Sequence, residues 1–176
     1  KLASRLQKNL IEANKGNTEV INRDILKLEI KDLPAGKAGL RLKSDYKIVA
    51  NLPYNITSKF LRKFLEEVEN KPTMMVLMLQ KEVAERMVAK PGNMSILAIS
   101  VQFYAQPTII SNVSKESFWP KPKVDSAIIE LKVRKSESQK VNEVKFFKLV
   151  KAGFSAKRKQ LKNNLVKNLK IKPEII

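Results

Sequence analysis

The sequence contains no cysteine and no histidine. Zinc knuckles, thiol nucleophiles and any mechanism with an imidazole base are therefore excluded. Acidic residues are also scarce, because 17 Asp and Glu stand against 35 Lys and Arg, giving a formal net charge of +18. Such self-repulsion is typical of a protein that binds a polyanion, and nucleic acid is the leading candidate. If this is an enzyme, its chemistry needs little acid-base assistance.

Long apolar runs are also absent. No uninterrupted stretch approaches the roughly 20 residues that cross a bilayer, and no secretory signal is visible. An anionic membrane surface is therefore only the second candidate partner. The 176 residues, 43% of them apolar, are enough for one domain with a core, with or without a small appendage.

Apolar periodicity predicts the secondary structure. Leu2, Leu6 and Leu10 lie four apart and predict an amphipathic helix, which starts without a capping residue and suggests a missing upstream portion. A second helix is predicted to begin at a cap, Thr57 or Ser58, and a third at "QKEVAERMVA". The segment "SILAISVQFYA" is compatible with a helix or a strand, and we favour the helix. Strands are predicted at residues 18–22 and at "YKIVANL", "TMMVLML", "TIISNVS" and "SAIIELKV", and "KDLPAGKAGLRLKSD" is predicted to be a loop.

Buried strands without alternation, separated by helices, predict an α/β fold with a parallel sheet covered on both faces. The composition changes near Val141, and residues 143–176 contain ten Lys or Arg and two Glu, with leucines and phenylalanines at helical spacing. We therefore expect a sheet domain over 1–134, a linker over 135–142 and a small basic helical domain over 143–176.

The stretch "KIVANLPYNITSKF" places four chemically useful residues directly after a predicted strand. Ligands bind beyond the carboxyl ends of parallel strands. There the Asn51 side-chain oxygen and the Leu52 carbonyl can accept two hydrogen bonds from an exocyclic amine, with Pro53 restricting the backbone. Tyr54 offers a flat face for an unstacked base. An ordinary strand-to-helix turn explains these four residues equally well.

A second stretch, "ESFWPKPKVDSAIIEL", bears on the choice between an amine-binding turn and an ordinary strand-to-helix turn. Two prolines flank Lys121 and hold the segment extended, so Phe118 and Trp119 are presented from a stiff loop. A proline-rich crossover with its aromatic residues in the core is the plainer alternative for this segment alone.

With these motifs in view, the chain resembles the KsgA-type small-subunit ribosomal RNA adenine dimethyltransferases, within the group that includes the Erm large-subunit enzymes. The matching stretches are "NLPYNITS", "MLQKEVAERMVAKPG", "SVQFYAQP", "FWPKPKVDSAIIEL" and "FSAKRKQLKNNL", in the family's order. The resemblance implies a Rossmann-like, S-adenosylmethionine-dependent methyltransferase sheet with a small C-terminal helical domain. It also implies methyl transfer to the N6 amine of adenines in a small-subunit ribosomal RNA hairpin, in the cytoplasm, by a monomer and without a metal.

The resemblance assigns roles to individual residues. The family's catalytic motif falls on Asn51, Leu52, Pro53 and Tyr54, with Asn51 also beside the cofactor, and its second stacking aromatic falls on Phe118. Asp24 matches the acid that accepts from the adenine amine of the cofactor, although it could merely close a turn. The RNA contacts fall on Lys157, Arg158, Lys159 and Lys162, for which a solvated helix face is the alternative.

The family's glycine-rich cofactor loop and its ribose-binding acid are expected upstream of Lys1, and "PAGKAG" is a poor substitute because it does not join a strand to a helix. Three alternatives to a small-subunit enzyme stay open. They are a noncatalytic RNA-binding or ribosome-assembly factor, an Erm-like enzyme of large-subunit RNA and a DNA adenine methyltransferase.

Overall fold

A computed structural model describes residues 2–13, 18, 20–28, 45–134, 141–156 and 158–169. The predicted loop "KDLPAGKAGLRLKSD" lies almost wholly outside these ranges. The elements in chain order are helix α1 (Leu2–Glu12), strand β1 (Lys47–Asn51), helix α2 (Thr57–Arg62), strand β2 (Met74–Gln80), helix α3 (Lys81–Met87), helix α4 (Ile96–Tyr104), strand β3 (Ala105–Val113), strand β4 (Ser126–Val133), helix α5 (Glu143–Gly153) and helix α6 (Leu161–Leu169). The segment "SILAISVQFYA" is thus helical over most of its length, as favoured above.

The four strands form one sheet in the order β1-β2-β4-β3. Strands β1 and β2 are parallel, whereas β4 runs antiparallel to both of its neighbours. The prediction of an α/β sheet is correct, but the expectation of an all-parallel sheet is wrong. Only a short helical turn and a proline-containing loop join β3 to β4, and this connection returns the chain antiparallel instead of through a crossover helix.

The core lies on one face of the two central strands. Met75, Leu77 and Leu79 of β2 are fully buried, and each pairs with a fully buried residue of β4, namely Leu131, Ile129 and Ala127. These side chains form one cluster with buried residues of α2, α3 and α4. Each large apolar side chain contributes about 1.5–3 kcal/mol to stability when it is buried. This core therefore holds β2 and β4 together, and with them the sheet edge at which β2 ends and β4 begins.

Strand β1 is exposed, in contrast to the prediction of a buried strand. Val49 is 80% exposed, and its cross-strand neighbour Val76 is only partly buried. Within the described ranges, β1 pairs with β2 alone. An apolar run shows that a strand favours burial, but it does not show whether a second strand or a covering helix is present.

The helix after β1 is irregular. One 3-10 turn, Tyr54–Ile56, precedes α2, and a π-helical turn, Lys63–Glu67, follows it. The predicted cap is wrong, because Thr57 is the buried first residue of the helix and no side chain caps its N-terminus. Its apolar side chains face the core, since Phe60, Leu61, Phe64 and Leu65 are buried and Val68 packs against them.

The strand predicted for residues 18–22 is also wrong, as none of the described residues there is in a strand. An isolated strand leaves its backbone groups unpaired. No strand of the described sheet includes these residues, and the Val20 N–H donates to the Gln7 side-chain oxygen at 3.1 Å. The following residues form a turn. The Lys63 ammonium group donates to the Leu26 carbonyl at 2.8 Å and to the Leu28 carbonyl, which ties this turn to the helical segment after β1.

Aromatic rings join α5 to the end of α4. Phe103 stacks on Phe146 at a centroid distance of 4.6 Å, and Tyr104 stacks on Phe147 at 5.8 Å. The Tyr104 hydroxyl donates to the Glu143 carboxylate. Burial, reinforced by this carboxylate, raises the pKa of Tyr104 well above its usual range. Helix α5 is therefore anchored to the sheet half of the chain.

Helix α6 is held against α5 by one buried amide. Asn164 is 3% exposed, and its Nδ2 donates to the carbonyls of Gly153 at 2.7 Å and Ala156 at 3.1 Å. These acceptors lie where α5 ends, so the amide fixes the turn between the two helices.

Candidate functional site

The sheet topology brings three chain segments to one edge. Because β1 and β2 are parallel, their carboxyl ends, Asn51 and Gln80, lie at the same edge of the sheet. Strand β4 begins there, since Ser126 pairs with Gln80. The Asn51–Tyr54 turn and the loop that leads into Ser126 therefore share this edge, where open α/β sheets place their ligands.

Asn51 and Leu52 present two unused acceptors. The Leu52 side chain is 5% exposed, and its N–H donates to the Met78 carbonyl at 3.2 Å, which fixes the backbone. Asn51 is exposed. Neither its side-chain amide nor the Leu52 carbonyl is hydrogen-bonded to another described residue. Both oxygens are thus available to an exocyclic amine.

Pro53 and Tyr54 continue the turn with a defined geometry. Pro53 has φ −56° and ψ 132°, and its carbonyl accepts from the Ile56 N–H at 3.1 Å. The Tyr54 hydroxyl lies 2.9 Å from the Ser126 Oγ. Ser126 is 1% exposed, so this hydrogen bond joins a half-buried ring to a buried strand residue. Sequence reasoning missed Ser126, although it stands in the quoted "PKVDSAIIEL".

The loop before β4 carries Phe118 and Trp119. A single 3-10 turn, Lys115–Ser117, precedes Phe118, which is half-buried, whereas Trp119 is 97% exposed. The Asp125 carboxylate accepts from the Lys115 N–H at 3.0 Å and holds the two ends of the loop together. No ring contact joins Phe118 to Tyr54 in the described structure.

An open cleft of about 450 Å³ lies between the end of β2 and this loop. Its lining is polar and carries both signs of charge, including Lys81, Glu85, Lys115 and Asp125. The Lys81 N–H donates to the Asp125 carbonyl at 3.0 Å, so the floor of the cleft is fixed to the loop. The cleft is contiguous with the edge at which the two predicted motifs meet, because Gln80 lines it.

Asp24 lies in the turn that Lys63 holds. Its Oδ1 accepts from the Leu26 N–H at 2.9 Å, and its carbonyl accepts from the N–H groups of Lys27 and Leu28. Asp24 therefore closes a turn, which was the plainer alternative. Asp24 is exposed, and its second carboxylate oxygen forms no hydrogen bond within the described part of the chain, so it can accept another donor.

The predicted RNA-contacting residues lie around the start of α6. Arg158, Lys159 and Lys162 are exposed, whereas Lys157 lies outside the described residues. In the described ranges, none of these three cations forms an ion pair. Their positive charge is thus available to an external anion.

The described residues contain no group of three acidic side chains that could hold a metal ion. None of their helices has the length and apolar character of a membrane span.

The family model for "Ribosomal RNA adenine dimethylase" matches residues 1–173. The proteins named ribosomal RNA small subunit methyltransferase A from Dehalococcoides mccartyi strain 195 and Clostridioides difficile strain 630 are 45% and 46% identical to this chain. The matches cover 91% and 85% of this chain, and 53% and 51% of those relatives. The chain thus spans about half the length of the curated relatives it matches.

Two solved structures resemble this chain. A dimethyladenosine transferase from Plasmodium falciparum superimposes with a TM-score of 0.76 at 34% identity, over 95% of this chain and 56% of that one. The 23S rRNA methyltransferase ErmE superimposes with a TM-score of 0.72 over 94% of this chain and 62% of that one, but at 24% identity it shows the fold alone. The predicted Rossmann-like methyltransferase fold is confirmed.

Proposed function

Since the chain belongs to the ribosomal RNA adenine dimethylase family, we propose that its protein methylates the N6 amine of adenines in small-subunit ribosomal RNA. The observation that carries the proposal is the hydrogen bond between Tyr54 and Ser126, because it joins the Asn51–Tyr54 turn to the loop bearing Phe118. The relatives' names support the small subunit as the substrate. An Erm-like specificity is less supported, since the match to ErmE is limited to the fold.

In this proposal the turn orients the target amine. The Asn51 side-chain oxygen and the Leu52 carbonyl accept its two N–H groups, which leaves the nitrogen lone pair directed away from both. Pro53 and the Leu52 N–H bond keep the carbonyl in place. Tyr54 and Phe118 hold the adenine ring by stacking, at about 1–3 kcal/mol per base. The amine nitrogen would form the new bond to the methyl carbon as the bond from that carbon to the donor sulfur breaks, with its electron pair left on sulfur, and the amine would then release one proton to water.

S-adenosylmethionine, when bound, supplies an electrophilic methyl group on a sulfonium. The free carboxylate oxygen of Asp24 suits the amino group of its adenine, and Asn51 is the second residue we place beside it. Direct displacement from a sulfonium depends on orientation and electrostatics, so a chain without histidine or cysteine is compatible with it.

We also propose that residues 143–176 form the RNA-holding domain, joined through the linker 135–142 to the methyltransferase domain of 1–134. Arg158, Lys159 and Lys162 are its phosphate contacts, supported by their exposure and lack of ion pairs, and Lys157 is a fourth. The protein works as a monomer in the cytoplasm, where its ribosomal substrate is made.

Methyl incorporation tests the proposal. The protein containing this sequence is incubated with labelled S-adenosylmethionine and undermethylated small subunits, with large subunits and duplex DNA as alternative substrates. We expect incorporation into small-subunit RNA alone. Asn51→Ala should abolish transfer and leave RNA binding unchanged, whereas the exposed neighbour Asn55→Ala serves as the matched control.

Each other outcome identifies a competing function. RNA binding without incorporation would indicate a noncatalytic assembly factor. Incorporation into large subunits or DNA would indicate one of the other methyltransferase classes. Calorimetric titration of S-adenosylmethionine into the 176-residue chain shows separately whether these residues suffice for cofactor binding.

A further inference from the structure

Trp119 is the one tryptophan of the chain and its most exposed large apolar side chain in the described structure, at 97%. It contributes almost nothing to the core, because the hydrophobic effect scales with the area removed from water. Its ring contacts no other described aromatic ring or cation. Folding therefore does not account for a large ring at this position.

The backbone presents this ring in a defined direction. Pro120 and Pro122 restrict the loop on its C-terminal side, and the Asp125 carboxylate closes the loop on the Lys115 N–H at 3.0 Å. The neighbouring Phe118 is half-buried, so its ring and the Trp119 ring differ sharply in exposure although they are adjacent in sequence. The loop thus offers an inner aromatic side chain at the sheet edge and an outer one in solvent.

The charges of the loop indicate the kind of ligand. Glu116 forms an ion pair with Lys121, which leaves Asp125 as the one acidic residue of the loop without an ion pair in the described structure. Lys115 and Lys123 form no ion pair within the described ranges. A loop that carries a flat apolar ring and two lysines without ion pairs suits a ligand with flat apolar faces and anionic links, which is single-stranded nucleic acid. Lysine is depleted at protein–protein interfaces, so the two lysines favour nucleic acid over a protein partner.

We propose that Trp119 is a second stacking platform that holds an unpaired RNA base next to the target adenine. The inference rests on the proposed RNA substrate but not on methyl transfer. Phe118 faces the target at the sheet edge, and Trp119, one residue further, stacks the neighbouring base outside it. Stacking of this kind accepts any base, because every base has a π-face.

The unique tryptophan makes the test direct. A short single-stranded oligoadenylate is titrated into the 176-residue chain while the intrinsic emission of Trp119 and the anisotropy of a labelled strand are recorded. We expect saturable quenching that follows binding, and no quenching with a strand of the same length that lacks bases. Trp119→Ala should weaken binding of the oligoadenylate by about 5- to 150-fold, and Trp119→Phe should retain most of the affinity.

The matched control is Ile110→Ala, which truncates another exposed apolar residue, 57% exposed, on β3. It should leave RNA affinity unchanged. The inference is overturned if the strand binds without quenching, if the baseless strand quenches equally, if Trp119→Ala binds normally, or if no strand binds at all. Methyl incorporation is measured separately, so quenching without incorporation would reject the proposed function and leave the stacking platform standing.

Discussion

Only one partner of the hydrogen bond between Tyr54 and Ser126 is fully buried, so we expect the two single substitutions to lower stability by different amounts. Tyr54→Phe removes the hydroxyl and leaves the Ser126 Oγ, in a residue only 1% exposed, without its partner. An unsatisfied buried hydroxyl costs about 1–3 kcal/mol. Ser126→Ala instead leaves the hydroxyl of a half-buried tyrosine, which water can reach, so we expect a loss of about 0.5–1.5 kcal/mol.

The double variant should cost less than the sum of the two single variants. With both hydroxyls removed, two apolar groups face each other and no polar atom is left unsatisfied, which is close to neutral. We therefore expect a non-additive energy close to the sum of the two single losses, about 1.5–4.5 kcal/mol. Urea unfolding of the four proteins, followed by circular dichroism, gives the complete cycle.

The control is Ser111→Ala, which removes an exposed hydroxyl on β3 that is bonded only to the carbonyl of its neighbour, Asn112. We expect a change within about 0.5 kcal/mol. Additive single variants, or a Ser126→Ala variant less stable than Tyr54→Phe, would refute the view that this bond joins the two segments.

Three further predictions concern the helical end and the sheet. Asn164→Ala should destabilise the chain by about 1–3 kcal/mol in urea unfolding, because two carbonyls lose their donor. Replacing the exposed neighbour Asn163 by Ala should have little effect. Equal losses in the two variants would contradict the role of Asn164 in fixing the turn between α5 and α6. RNA affinity should fall steeply as the salt concentration rises, because phosphate contacts release counterions. Replacing Arg158, Lys159 and Lys162 by Ala should lower the slope of log affinity against log salt by about 2, at about 0.7 per phosphate contact. An affinity that does not change with salt would reject binding through phosphates. Burial raises the pKa of Tyr46 to about 12, and since its neutral hydroxyl donates to the Asn70 carbonyl, its contribution to stability should be full below pH 10 and lost as the pH rises towards 12. Tyr46→Phe should flatten that loss in urea titrations, and an unchanged pH profile would contradict it.

Local sequence patterns predicted most of the secondary structure. The apolar runs of β2 and β4 and the 3.6-residue spacing of Phe60, Leu61, Phe64 and Leu65 are signals carried by the segments themselves. The strand predictions that failed depend on partners elsewhere in the chain. Residues 18–22 have strand composition but no described strand to pair with, and β1 has an apolar sequence but an exposed edge.

In the candidate site too, contiguous motifs were predicted from the sequence, whereas a contact between distant residues was not. The Asn51–Tyr54 turn and the Phe118 loop were found because each motif is contiguous. The bond that joins them spans 72 residues, and no periodicity relates Tyr54 to Ser126. Asp24 closes a turn through one carboxylate oxygen, which was the alternative to the cofactor role, and its second oxygen leaves that role a prediction. The functional roles of these residues stay predictions.

Lys63 connects two parts of the proposed site. Its ammonium group fastens the Asp24 turn to the same helical segment that starts just after the Asn51–Tyr54 turn. The residue proposed to meet the cofactor and those proposed to meet the target are therefore attached to one helical segment. Loss of that positive charge, by substitution or acetylation, would release the Asp24 turn, whereas the hydrogen bonds of Leu52 and Tyr54 would still hold the target-binding turn.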